Sequence, residues 1–203
     1  PPFESASFDA LCDAPRIVVV EDGATTDDAA GAGIGAALVG VCLNLRGTER
    51  VSQDDPDVLD PSTGRILLGP DALAVVAGGP AVHRAAAYFN EVAGPVVNDR
   101  STIVRYRLIE RETGDVIVDE DARDLNDGHD FVTIMAVFEP RSGTRALAAY
   151  GREQFGTVAA ATYLANQPDT LRSTDLHWLV VEWTDTDGDG PSQSDSYRIV
   201  ASG

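Results

Sequence analysis

Residues 16–40, RIVVVEDGATTDDAAGAGIGAALVG, open on an unbroken apolar run, pass a polar glycine turn, and end in an alanine- and glycine-rich segment behind a Thr/Asp start. The run is continuous rather than alternating, the pattern of a strand covered on both faces. The Thr and Asp residues ahead of the small-residue stretch mark a helix start. Residues 73–92, LAVVAGGPAVHRAAAYFNEV, repeat the plan, and residues 146–166, ALAAYGREQFGTVAAATYLAN, repeat it again, with the helix expected to begin at or near Thr157. Three strand–turn–helix units predict an α/β fold with a mixed, largely parallel sheet.

Between the second and third units the rhythm changes. STIVRYRLIERETGDVIVDED (101–121) alternates apolar and polar residues around ETGD, a hairpin signal, and HDFVTIMAVFEP (129–140) reads as a further strand. Residues 99–140 are therefore expected to form an antiparallel, β-rich insertion. LHWLVVEWTDTDGDGPSQSDSYRIVAS closes the chain as a β-hairpin around an acidic turn, and residues 46–64, rich in Gly, Asp, Pro and Ser, read as a long surface loop. The stretch Ala29 to Leu45 reads as a buried helix leading into a strand. No linker interrupts residues 1–203, which predicts one domain with an N-terminal arm, Pro1 to Ala14, that has no core pattern.

The charge balance narrows the setting. Among 203 residues, 33 are acidic and 15 basic, a formal net charge of -18, and every basic residue is Arg. Such a surface repels itself unless cations screen it; the Debye length falls to ~3 Å in molar salt. An acidic, lysine-free, Ala/Gly/Val-rich chain fits a protein of an extreme halophile. Nucleic acid and anionic membrane surfaces are excluded as partners, because the arginines are scattered and form no basic patch. No run of 18 apolar residues is present, so no membrane insertion is expected. Pro1-Pro2-Phe3-Glu4 lacks the basic and apolar regions of a signal peptide, which fits a mature secreted chain or a cytosolic one. The two cysteines, Cys12 and Cys42, are compatible with one extracellular disulfide or with two buried thiols.

Each candidate motif has a structural reading beside its functional one. Gly31, Gly33 and Ala36 match G-x-G-x-x-A, but they fall inside the helix rather than at the strand-to-helix turn where a pyrophosphate would bind. Small residues there let a helix approach the sheet. AGGPAV (77–82) is better placed, yet Pro80 removes an amide donor and no Walker lysine exists. His83, His129 and His177 are dispersed, and NDGHD (126–130), which could seat a metal or a base, reads equally as a polar loop. Neither G-x-S-x-G nor H-E-x-x-H occurs, so no catalytic apparatus is visible. Asp185, Asp187 and Asp189 in DTDGDG alternate as at the start of a calcium loop. The twelfth position, however, is Ser196 rather than Glu, and a strand precedes the loop. The expected occupant is a loosely held Ca²⁺, with a solvated acidic turn as the alternative.

Taken together, the segments resemble the archaeal S-layer (surface-layer) protein family. IVVVEDGATTDDAAGAGIGAAL is similar to the strand–turn–helix that opens its α/β domain, VVAGGPAVHRAAAYF resembles its V-V-G-G-P-x-x-N turn, and AAYGREQFGTVAAATYL resembles its later G-T-x-A-A helix. The order of the three matches over roughly half the chain. His83 stands where the family usually has Asn, and no N-x-S/T sequon is present. The resemblance implies an extracellular structural protein at the cell surface, not an enzyme, that self-associates into a coat, lattice or filament. On that reading the Pro1 to Ala14 arm is expected to cross to a neighbouring subunit. The alternative is a secreted or cell-surface module that binds a small solute in its α/β crevice. A third is a cytosolic α/β enzyme whose site lies in the 46–64 loop.

The charge alone predicts salt-dependent folding. The melting midpoint should rise between about 0.1 M and about 3 M NaCl as carboxylate repulsion is screened; a midpoint indifferent to salt would contradict the halophilic reading.

Overall fold

The computed structural model describes residues 4–42, 47–126 and 128–203. Its strands are β1 (Glu4–Ser5), β2 (Arg16–Glu21), β3 (Thr48–Ser52), β4 (Ala72–Ala77), β5 (Val96–Asp99) and β6 (Arg105–Glu110). β7 (Val116–Asp121), β8 (His129–Glu139), β9 (Thr144–Tyr150), β10 (Trp178–Thr184) and β11 (Ser196–Ser202) follow. The helices are α1 (Thr25–Val41), α2 (Arg84–Tyr88), which runs on into a π-helical turn Phe89–Ala93, and α3 (Gln154–Asn166).

The apolar runs became the parallel core, as their pattern requires. β3, β2, β4 and β9 lie side by side and parallel, in register through pairs such as Val19 with Val75 and Val75 with Leu147. β8, β10 and β11 extend the sheet in antiparallel fashion, giving the order β11-β10-β8-β9-β4-β2-β3, and β1 pairs with the far end of β8. The fold is therefore α/β with a mixed sheet, as expected. The antiparallel elaboration is also present: β5, β6 and β7 form a separate three-stranded sheet. Its expected last strand, β8, instead joins the main sheet, because all but two of its residues are buried and need cover on both faces.

Two cores result, one on each face. Ile17, Val19, Leu73, Val75, Leu147 and Ala149 meet α1 and α3 on the first. Val18, Val20, Ala74, Val76 and Ala148 meet α2, the π-helical turn and the small sheet on the second. The glycines of α1 serve close packing: a Cβ on Gly31 would lie 2.9 Å from Val19 Cγ1, and one on Gly35 would lie 2.8 Å from Thr48 Cγ2. α1 and α3 share a face yet carry the chain in opposite directions across the sheet, from β2 outward to β3 and from β9 past β8 to β10. Since β10 is parallel to β9, the two crossovers have opposite hand, and one of them departs from the right-handed rule.

Two further expectations need correction. The N-terminal segment is not a free arm: Phe8, Leu11 and Ala14 are fully buried in the chain's own core, and Phe8 N–H donates to Leu176 O at 2.9 Å. Their spacing of three residues suits the 3₁₀ helix Asp9–Asp13 rather than an α-helix or strand. The 46–64 stretch is not all loop, since β3 lies within it and Val58 and Leu59 are buried. α3 begins at Gln154, near the expected Thr157. The strand expected at the end of the 29–45 stretch falls largely on residues 43–46, outside the described residues.

Phe8 ties the N-terminal segment to the α1/α3 core, so Phe8→Ala should cost about 3–5 kcal/mol through the cavity it leaves. Urea unfolding measures it; a cost below about 1 kcal/mol would mean that the segment is merely draped on the surface.

Candidate functional site

All four parallel strands end at one edge of the sheet, where the three helices begin. This is the edge at which α/β folds bind ligands, in crevices between strands whose connections leave to opposite faces. β4 leads to α2 on one face, while β2 and β9 lead to α1 and α3 on the other, so crevices flank β4 on both sides. Helix starts offer free amide donors to an anion. Here the chain supplies some of the acceptors itself.

At α1, Ala24 N–H donates to Asp22 Oδ1 at 2.8 Å and Asp22 N–H donates to Asp28 Oδ1 at 3.2 Å. At α2 the acceptor is His83, buried at 1 % exposure, whose Nδ1 accepts from Ala85 N–H at 3.2 Å. That bond leaves the proton on Nε2, which donates to Val20 O at 3.0 Å and fastens α2 to the end of β2. His83 is thus the side-chain cap of α2. Burial holds its pKa below the usual histidine value, which keeps the Nδ1 acceptor free. At α3 the acceptor is Asp130, fully buried: Phe131 N–H donates to Oδ1 at 2.8 Å and Glu153 N–H to Oδ2 at 2.9 Å. Gly151 and Gly156 make room for this carboxylate, since a Cβ on either would collide with Oδ2. Burial pushes the Asp130 pKa up to about 7 against the pull of those amides.

The AGGPAV turn is closed from outside as well, by Arg100 Nη1 donating to Pro80 O at 3.1 Å. Gln53, just past β3, donates through Nε2 to Asp22 O and Val82 O and accepts from Arg84 N–H at 2.9 Å, lacing the three connections together. Asp27, in the first turn of α1, is 7 % exposed. Burial, and then the neighbouring Asp22 carboxylate, raise its pKa to about 6.

Away from this edge, Asp185, Asp187 and Asp189 do come together, with one carboxylate oxygen from each lying within 4.8 Å of the others. The first of them is already engaged: Asp185 Oδ1 accepts from the amides of Asp187 and Gly188, and Oδ2 from Gly190 at 2.9 Å. These amides, Gly188 foremost, hold its pKa below the usual carboxylate value, while its hydrogen bond to Asp187 raises that of Asp189. Asp195 closes the loop by accepting from Trp183 Nε1 at 3.0 Å and from the amides of Thr186 and Ser192. A Ca²⁺ ion would find Asp187 and Asp189 exposed and Asp185 partly committed. Cys12 and Cys42 are bonded to each other, joining the 3₁₀ segment to the residue that ends α1.

The other histidines stand apart. His129 Nε2 lies 3.2 Å from Glu182 Oε1, and the backbone N–H of His177 donates to Gly203 O. In NDGHD, Asp127 is outside the described residues. A crevice of about 370 Å³ opens beside β4 and β9, lined by Gly79, Pro80, Arg100, Tyr106, Gly151 and Arg152 among others. Asp130, Gln53 and the Asp22–Asp27 pair carry no motif; only their place at strand ends and helix starts could have drawn attention to them. Comparisons with protein-family models, with curated proteins and with solved structures find no match.

A carboxyl with a raised folded pKa keeps a proton that the unfolded chain releases, so its contribution to stability is complete below pH ~4 and is lost as pH rises through the folded value. With Asp130 at about 7, unfolding free energy should fall by on the order of 1 kcal/mol between pH 6.5 and pH 8. Asp130→Asn should be less stable throughout, having lost one amide acceptor, yet flat across that window. Urea titrations at each pH check it, and an unchanged slope in the variant would contradict the assignment.

Proposed function

We propose that this chain is an extracellular structural subunit, resembling those of archaeal S-layers, that repeats through self-contact into a coat, lattice or filament in high salt. The observation that carries this reading is the plugging of the ligand-binding edge. His83 caps α2 by accepting from Ala85 N–H, while Asp22 accepts from Ala24 N–H just ahead of α1 and Asp130 from Glu153 N–H just ahead of α3, so part of the edge that an α/β enzyme or nucleotide binder leaves to its ligand is taken up by the chain itself. An edge filled by the chain's own side chains supports a building block. The Cys12–Cys42 disulfide agrees with an oxidising compartment, and among the described residues no helix is long and apolar enough to cross a membrane.

Contact surfaces are available at the ends of the main sheet. β11 and β3 are its two outer strands, each with one side unpaired among the described residues, and β11 presents Ile199 at 52 % exposure. An exposed apolar residue on an open edge is a natural point of contact with another copy.

A second reading, a module that binds a small anionic solute, is favoured by the crevice between Gly79 and Gly151 with Arg100 and Arg152 at its rim. Assembly separates the two. Light scattering and electron microscopy in about 3 M salt should show extended particles for the natural chain. Ile199→Glu should remain monomeric while melting within about 0.5 kcal/mol of it. A monodisperse monomer at high protein and high salt would overturn the structural reading in favour of the solute module.

A further inference from the structure

The crevice beside β4 and β9 carries a charge opposite to that of the whole chain. Its volume of about 370 Å³ falls in the range of roughly 300–1,000 Å³ common for small-molecule sites. Arg100, just past β5, Arg105, the first residue of β6, and Arg152, ahead of α3, all line it. Among the described residues the only carboxylate beside them is Asp99, which is already paired with Arg107 at 3.1 Å. Asp119 and Glu153, the partners of Arg105 and Arg152, do not line the hollow. Three guanidinium groups thus border one crevice in a chain of formal net charge -18. Most arginines pair with a carboxylate, but among the described residues Arg100 forms no ion pair. Its one hydrogen bond is the Nη1 donation to Pro80 O that closes the turn after β4.

Like charges gathered from three elements repel one another, and an anion among them relieves that repulsion. Arg105 turns Nε and Nη2 to Asp119, whereas Arg152 engages only Nη1, with Glu153 and Leu125 O. Arg100 and Arg152 therefore keep N–H donors to offer, one behind β4 and one behind β9. The fork of a guanidinium fits the paired oxygens of a carboxylate or a phosphate alike. Ile103, at 92 % exposure, lines the same hollow with Pro80 and Ala122 and gives it an apolar part. The connections of β4 and β9 leave to opposite faces, the place where α/β sheets take ligands. We infer that this crevice binds a small molecule by a carboxylate or phosphate head held by Arg100 and Arg152, with an apolar body against Ile103. The inference rests on the second reading above, that a solute enters here, and adds its head group, its ligands and its body.

The probes are phenyl phosphate, benzoate, inorganic phosphate and neutral benzyl alcohol, titrated into ¹⁵N-labelled protein at the lowest constant NaCl that keeps it folded. Phenyl phosphate or benzoate should shift the amides of Gly79 and Gly151 saturably, and the tighter of the two names the head group. Inorganic phosphate should need roughly tenfold more, and benzyl alcohol should shift neither amide. Arg100→Gln and Arg152→Gln should each raise the half-saturating concentration by roughly tenfold, the loss of a charged hydrogen bond. Arg172→Gln, in the 3₁₀ turn Thr170–Arg172, should leave it unchanged. Ile103→Ser should weaken phenyl phosphate but not inorganic phosphate, and its exposure keeps the test open even if Arg100→Gln loosens the turn at Pro80. If a probe shifts Gly79 and Gly151 alike in the natural chain and both Gln variants, a solute enters but the arginine assignment is overturned. Benzyl alcohol binding as well as phenyl phosphate overturns the anionic head, and inorganic phosphate binding as well overturns the apolar body. If no anion moves these amides, the solute reading falls together with the inference.

Discussion

Unsatisfied amides at three helix starts, all brought to one edge of the sheet, are the constraint on which this molecule's chemistry turns. Parallel strands followed by helices make the convergence unavoidable, and each buried N–H left without an acceptor would cost about 1–3 kcal/mol. Most α/β proteins leave some of these donors to a ligand. Here Asp130 is drawn from β8, a strand that enters the edge from the opposite direction, to cap α3 across 23 residues of sequence. His83 spends both ring nitrogens on backbone, one on its own helix and one on β2. The edge is therefore partly filled by the chain's own side chains, and the crevice beside β4 and β9 remains open.

The parallel core was legible because burial on both faces leaves a continuous apolar run, and β2, β4 and β9 are such runs. β3 was not, because an edge strand with an exposed face needs no apolar pattern; TERVS reads as loop until β2 is beside it. The N-terminal segment misled for another reason. Phe8, Leu11 and Ala14 repeat every three residues, a period too short-lived to register over one 3₁₀ turn. The caps were illegible in principle, since Asp130 and Gln53 act on residues far away in sequence and no local pattern announces them. The mid-helix glycines could be interpreted, because their place inside α1 ruled out a phosphate turn, and Gly31 and Gly35 indeed meet Val19 and Thr48.

Arginine and carboxylate side chains pair across neighbouring strands on the surface. Four arginines make such cross-strand pairs: Arg16 with Glu49 and Arg50 with Glu21 along β2 and β3, Arg105 with Asp119 across β6 and β7, and Arg198 with Glu182 across β10 and β11. Such exposed pairs contribute about 0–1 kcal/mol each and weaken in salt. They also set guanidinium groups among the carboxylates of the outer strands, Arg50 on β3 and Arg198 on β11.

The two ends of the sheet are not equivalent, and this bears on what the proposed self-contact would build. β3 is the outer strand of a parallel pair, and β11 the outer strand of an antiparallel one. A contact between two copies of β11 would be two-fold and closed, giving a dimer and nothing more. A contact of β11 on β3 of the next copy uses different surfaces on each side, so every added subunit presents a fresh β11. Growth of that kind stops only if the rotation per step closes a ring. The strand twist of roughly 20–25° between neighbours accumulates across the seven-stranded path from β11 to β3, so successive subunits would be turned strongly about the axis of growth. A twisted filament follows more readily from this sheet than a flat lattice, and a flat lattice would need a second contact, outside the strand edges, to cancel the turn.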